Sequence, residues 1–521
     1  MPDADADMTA ILASNAKPLT SLLDDSRTAA ALLVLHLLIW TALPLLVSRN
    51  LPLDVVEALA WGREWQWGYY KHPPLSGWLA EMARLGPSNW SLFLLAQLMV
   101  TGGMAASWAL GRELLGTRLA TLGLMATEGI HYFNMSSTEF NANVVLFPLW
   151  AGASLCGWRA LRSGKLGWWM ALGLCCGLGT LGKYVFLLLP ACLVLYTWIN
   201  PVARQAWRTA GPWAAAAVFL LVIAPHLKWA IDHDWATLHY ALGRGHSDEL
   251  AQQGSWRQEF IHFVLAQALT LLPAWGLLRT LGASRPTQRP AHERGLLFTL
   301  ALAPLLLIML AATLAQAQML HMWASPFFLC AVPLWLAWRQ PAALNTSRFT
   351  WAWSTWMLIT VVIFASTALL GPQKKHKLDR TSYPGQEIAA ILTAKWHTQT
   401  GRPLSIVAGE EFVAGTVAHY SADRPSVFYD ADFSESLWLR PEQVTQQGAV
   451  FVWPLSRGEV DVTTLPMDSR EQVAPLLARY PRLQIQPTLL VNTHWMGKPY
   501  TVAVAWAILP PSPPAQNFSA R

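Results

Sequence analysis

The sequence predicts a polytopic α-helical membrane protein of about eleven transmembrane helices, followed by a C-terminal soluble α/β domain. Three observations predict it. Only 13% of the 521 residues are charged and 53% are hydrophobic, against roughly 25% charged residues in an ordinary globular chain. From Arg27 onward apolar runs recur, each near the ~20 residues a helix needs to cross about 30 Å of hydrocarbon. Beyond residue 370 the pattern changes, and β-rich runs such as SIVAG, SVFYD and AVFVW alternate with helix-like stretches such as SREQVAPLLARY, the mark of an α/β unit.

Residues 1–27 are polar and acidic and lack a basic region followed by a cleavage site, so they read as a cytoplasmic tail rather than a signal peptide. The membrane region covers 28–370, with runs at 28–48, 90–110, 117–134, 140–159, 167–182, 184–200, 211–231, 259–278, 296–314, 319–338 and 350–370. Alternate loops hold most of the cations: Arg112 and Arg118, then Arg159, Arg162 and Lys165, then Arg204 and Arg208, then Arg279 to Arg294, then Arg339 and Arg348. Cations are retained on the cytoplasmic side, so an odd number of spans places residues 371–521 outside. The net charge of +6 is scattered, which gives nucleic acid no basic tract to bind. All five cysteines lie in apolar stretches without a CxxC pair, so neither a disulfide framework nor a zinc site is implied.

The informative parts are the two long outer loops, 49–89 and 231–257, because most connections run about 4 to 6 residues. In the first, amphipathic stretches flank a Trp- and Tyr-rich turn closed by Pro73 and Pro74, a pattern suited to lying on a membrane surface. Helical spacing puts Asp54 and Glu57 on one face. Asp54 is either a functional carboxylate or an N-cap, and the loop tryptophans read as headgroup anchors. Lys183, in GLGTLGKYVF, is either a snorkelling cation or a ligand for a lipid phosphate. The glycines before it imitate a nucleotide loop, but no strand precedes them, and small residues there favour close helix contact. The second loop gathers Asp232, His233, Asp234, Arg244 and His246; a divalent metal is conceivable at the first three, although their spacing matches no standard motif, and a solvated loop is the simpler reading. The turn SSTEFNAN carries Glu139, Asn141 and Asn143, where an N-cap is favoured over catalysis.

Taken together, LPLDVVEALAWG, GYYKHPPL, STEFNAN, LGKYVFLLLP and APHLKWAIDHDW followed by GRGH resemble the GT-C superfamily of membrane glycosyltransferases, in particular the family of lipid A aminoarabinose transferases and protein O-mannosyltransferases. The resemblance implies a bacterial inner-membrane enzyme and a donor sugar on a polyprenyl phosphate. It places the active site in the outer loops and the acceptor among envelope lipids, glycans or proteins. It implies that Asp54 is the catalytic base and that Lys183, helped by Lys71 and Arg244, holds the donor phosphate. Glu57, Tyr69, Tyr70, His72, Glu139, Asn141, Asn143 and His246 are the remaining substrate-binding candidates. Relatives carry an aspartate near Asn141 and Asn143, for which Glu139 stands as the substitute. No cofactor is fixed beyond a conceivable divalent ion, and the sequence leaves the oligomeric state open. The competing classes are a multi-helix transporter or flippase and a non-catalytic lipid-binding assembly factor. Transporters bind near the bilayer midplane, whereas here the polar groups gather at one membrane face.

Overall fold

The computed structural model describes residues 22–85, 89–246, 255–455 and 474–512. The helices run in chain order as α1 (Ser26–Val47), α2 (Leu53–Glu64), α3 (Leu75–Ala83), α4 (Trp90–Leu115), α5 (Thr117–Thr127), α6 (Ala142–Ser163), α7 (Leu166–Gly182) and α8 (Leu188–Ile199). There follow α9 (Ala210–Asp232), α10 (Ala236–Gly243), α11 (Trp256–Thr280), α12 (Ala291–Ala301), α13 (Ala303–Ala315), α14 (Ala331–Trp338) and α15 (Thr346–Lys375).

Among the described residues, six helices are long and apolar enough to cross a membrane: α1, α4, α6, α9, α11 and α15; the pair α12 and α13 adds a seventh if its 53° bend lies within one span. Of the remaining apolar windows, 167–182 is one continuous but shorter helix, α7, and others are broken. The window 117–134 holds the 11 residues of α5 and then breaks into 3-10 turns at His131. The window 319–338 divides into a 3-10 stretch, His321–Phe328, and the 8 residues of α14. At 1.5 Å per residue, α5 covers roughly 16 Å, about half the hydrocarbon. Hydropathy counts composition, whereas crossing by one helix needs unbroken hydrogen bonding.

Small residues draw the bundle together. A Cβ on Gly173 of α7 would fall 2.2 Å from the carbonyl oxygen of Ala215 in α9, and one on Gly177 would meet Val222 at 2.7 Å. The glycine-rich run before Lys183 is thus a packing surface. Within the bundle, His36 of α1 and Glu128 at the end of α5 form a buried pair at 2.6 Å.

The C-terminal segment continues with α16 (Gly385–Thr400), β1 (Ile406–Gly409), α17 (Glu411–Tyr420), β2 (Ser426–Tyr429), α18 (Pro441–Gln447), β3 (Ala449–Pro454), β4 (Gln484–Ile485), β5 (Leu489–Trp495) and β6 (Lys498–Leu509). The sheet order is β2-β1-β3-β6-β4, with β5 also on β6. β1 pairs in parallel with β2 and β3, while β6 pairs antiparallel with β3, β4 and β5. Side chains alternate across the pleat. Ile406, Ala408, Phe428 and Phe451 form one small core, and Val407, Val427, Val450 and Val452 join the main core with Val56, Leu59 and Val413. The α/β unit therefore shares its interior with the first outer loop.

Polar contacts fix the same junction. Arg63 of α2 donates from Nε to the Arg424 carbonyl and from Nη1 to Ser426 Oγ, each at 2.6 Å. Arg424 in turn pairs with Glu81 of α3 at 2.9 Å.

Candidate active site

The first outer loop is a folded hairpin rather than a surface float. A Cβ on Gly62 of α2 would lie 2.2 Å from the carbonyl oxygen of Gly77 in α3, so the two helices cross in close contact. Trp61 is buried, stacks on Tyr69 at 5.6 Å and meets His72 edge-on. This corrects its reading as a headgroup anchor, which suits the exposed Trp65 and Trp67 better. The second outer loop closes over the hairpin: Thr237 Oγ1 donates to the Tyr69 carbonyl at 2.5 Å, and the Tyr240 ring packs against Tyr70.

Asp54 lies in the first turn of α2, where Pro52 occupies the N-cap and no side chain caps the helix. The capping role is thereby excluded. The carboxyl opens instead into a cavity of about 500 Å³ that Glu139, Lys377, Asp379 and Arg380 also line. Burial raises the Asp54 carboxyl above its ordinary value; Lys183 leads the charges that oppose the rise, ahead of Lys71 and Arg380, while Glu411 adds to it. The helix N-terminus favours the ionised form. A carboxylate whose affinity for protons is raised toward neutrality suits general-base work.

Lys183 sits at the break between α7 and the turn that leads into α8, and its Nζ donates to Asn143 Oδ1 at 2.8 Å. Burial pulls its ammonium down to about 8, with Asp54 opposing and Arg244 adding to the fall. Lys183 and Asp54 thus feel each other's charge, yet among the described residues Asp54 forms no ion pair or hydrogen bond. Lys183 is not among the residues that line the Asp54 cavity, so the two groups are linked by charge rather than by contact. Burial and the neighbouring Asp54 push Glu139 up to about 8, Arg380 opposing.

The other candidates divide. Lys71 does not face this space as an unpaired cation: its Nζ donates to Glu57 Oε1 at 2.7 Å and to Glu411 of α17, and Tyr70 donates to the same Glu411 at 2.8 Å. Two carboxylates hold its ammonium in this arrangement. Burial, with Lys71 opposing, pushes Glu57 up to about 8. Burial and the cations of Lys183 and Lys71 hold His72 well below its usual range. Asn141 is the N-cap of α6 and accepts from the Asn143 and Val144 amides at 2.9 and 3.1 Å. Asp232, His233 and Asp234 do not converge as a metal set. Asp232 pairs with Lys228 at 2.7 Å, His233 stacks on Trp229, and Asp234 is in a left-handed turn with φ 51. Among the described residues no group of three His, Cys, Asp or Glu side chains is placed to hold a metal. The His246 side chain, and most of the loop after it, lie outside the described residues.

The sequence reading missed the C-terminal contribution. Backbone amides of Arg49 and Asn50 donate to the Thr381 carbonyl at 2.8 and 2.9 Å, and Asn50 Nδ2 donates to the Arg380 carbonyl at 3.0 Å. These bonds fasten the strap 377–381 directly before the start of α2. One signal was available: the run KKHKLDR follows the last span on the side expected to be poor in cations.

Comparison with known proteins agrees with this architecture. Residues 71–229 match the family described as dolichyl-phosphate-mannose-protein mannosyltransferase. The chain is 25% identical to the lipid A galacturonosyltransferase RgtD of Rhizobium johnstonii over 78% of its own length and 88% of the relative's. It is also 25% identical to the lipopolysaccharide core galacturonosyltransferase RgtB of the same organism, over 85% and 89%. Its fold resembles that of ArnT from Cupriavidus metallidurans bound to undecaprenyl phosphate, with a TM-score of 0.58 at 15% identity, covering 93% of this chain and 99% of that one. In its loop motifs, its relatives and its fold, the chain is similar to membrane glycosyltransferases.

Proposed function

We propose that the chain transfers a sugar from a polyprenyl-phosphate donor to lipid A or the lipopolysaccharide core at the outer face of a bacterial inner membrane. The observation that carries this reading is the Asp54 carboxyl, uncapped in the first turn of α2 and opening into the cavity beside Glu139 and Arg380, with Lys183 close enough for each charge to bear on the other. The acceptor hydroxyl attacks C1 of the donor sugar and gives its proton to Asp54. The bond from C1 to the phosphate oxygen breaks as the new glycosidic bond forms. The polyprenyl phosphate leaves with its charge held by Lys183, beside Arg244, in surroundings where little water weakens the attraction. A single in-line displacement inverts the anomeric centre. The relatives' names support the acceptor class, and the lipid named with the ArnT structure supports the carrier.

The same reading sets the topology at eleven crossings, with the N-terminus in the cytoplasm and the C-terminal unit in the periplasm. Parity supports it. The strap 377–381 and α17 touch the loop that follows α1, so an even number of crossings separates residue 90 from residue 375. The six long helices alone would leave five; counting the bent pair as a seventh leaves six, and eleven crossings leave ten, both even.

The test is transfer by the purified protein in lipid, supplied with undecaprenyl-phosphate sugars and lipid A. Asp54→Asn is expected to lower turnover by about 10²- to 10⁴-fold while undecaprenyl phosphate still binds. Undiminished turnover by the variant would refute the base.

A further inference from the structure

The Asp54 cavity holds two cations that the proposed transfer does not use. Arg380 and Lys377 line it from the strap that Asn50 fastens to the start of α2. Both side chains are exposed to the cavity. Among the described residues neither forms an ion pair or a side-chain hydrogen bond, and the Arg380 guanidinium rests on the ring of Phe412 at 5.6 Å. The acidic neighbour that would be their natural partner is engaged elsewhere, since Asp379 pairs with Lys375 at 3.0 Å.

A guanidinium lying on an aromatic face, with its hydrogen-bonding edge unoccupied, is arranged to take a planar or tetrahedral oxyanion through two parallel bonds. Its backbone is fixed by the Asn50 bond and by the junction between the strap and the Arg49–Asn50 peptides, so little order remains to be imposed when a ligand arrives. It acts on the same two carboxyl groups, Asp54 and Glu139, that border the reacting space.

We infer that Arg380, assisted by Lys377, recognises an anionic group on the reacting glycan, either a carboxylate on the transferred sugar or a phosphate on the glycolipid acceptor. This rests on the transferase reading above and narrows its substrate class. Two relatives are named as galacturonosyltransferases, and a galacturonosyl group carries a carboxylate; this chain's own residues provide the cation to meet one.

The experiment measures kcat/KM for wild type, Arg380→Gln, Arg380→Lys and Lys377→Gln. Donors are undecaprenyl-phosphate galacturonate and its neutral galactose counterpart, and acceptors are lipid A with and without its phosphates. Arg380→Gln is expected to lower the preference for the anionic partner by about tenfold or more, mostly through KM, and Arg380→Lys to restore part of it. Lys377→Gln should give a smaller change of the same sign. A fall confined to the acidic donor assigns the carboxylate, and a fall confined to the phosphorylated acceptor assigns the phosphate. An equal fall with every donor and acceptor, or no fall, overturns the inference and leaves Arg380 as a neighbour that only steadies Asp54. Wild-type protein that transfers sugar from no polyprenyl-phosphate donor sinks the transferase reading, and this inference with it.

Discussion

Two charged clusters adjoin each other where the helix bundle meets the C-terminal unit, and they put similar groups to opposite uses. In one, Lys71 is held between Glu57 and Glu411, and Tyr70 adds a further hydrogen bond. In the other, Lys183 and Arg380 both act on the charge of Asp54, while Asp54 and Arg380 keep their polar edges open. A satisfied cluster fixes one arrangement of the chain, whereas an open one meets its remaining demand only when substrate arrives. Lys71 helps to lower the proton affinity of Asp54 while its ammonium pairs with Glu57 and Glu411.

The largest effect that separates the clusters should come from Lys71. Lys71→Met leaves the buried Glu57 and the partly exposed Glu411 without their cation, a loss that costs up to about 3 kcal/mol. Thermal unfolding of the protein in detergent checks this, and adding Glu411→Gln should recover part of the drop. A variant of unchanged stability that binds donor poorly would return Lys71 to the phosphate.

A smaller effect appears in the dependence of rate on pH. Transfer needs Asp54 ionised and Lys183 charged. Activity should therefore rise with pH as the raised Asp54 carboxyl loses its proton, and fall again near 8, where Lys183 loses its own. A guanidinium stays charged beyond that range, so Lys183→Arg should move the alkaline limb upward. A limb that stays in place in the variant would assign it to Glu139, which titrates at about 8 as well.

The membrane character and the outer-loop motifs were legible in the sequence because both are local. Apolar runs declare a helix by composition, and the motifs around Asp54 and Lys183 carry their residues within a few positions of one another. The breaks after α5 and before α14 were not legible, since continuity depends on 3-10 turns that hydropathy ignores. The Asp54 cap was excluded only by the backbone at Pro52. The contacts of Lys71 with Glu411 and of Asn50 with Arg380 join residues 340 and 330 positions apart, and no periodicity in one segment reports what another covers. The closest hint was the basic run after the last span, whose placement disagreed with the charge rule.

The central claim is that Asp54 and Lys183 act on one substrate in one step. A double-mutant cycle on kcat/KM with Asp54→Asn and Lys183→Ala tests it most directly. Groups that work as a unit are strongly non-additive, so the double variant should lose little more than the worse of the two single variants. A double variant whose loss equals the product of the two single losses would mean that base and cation act independently, and the proposed coupling of proton removal to departure of the carrier would fail.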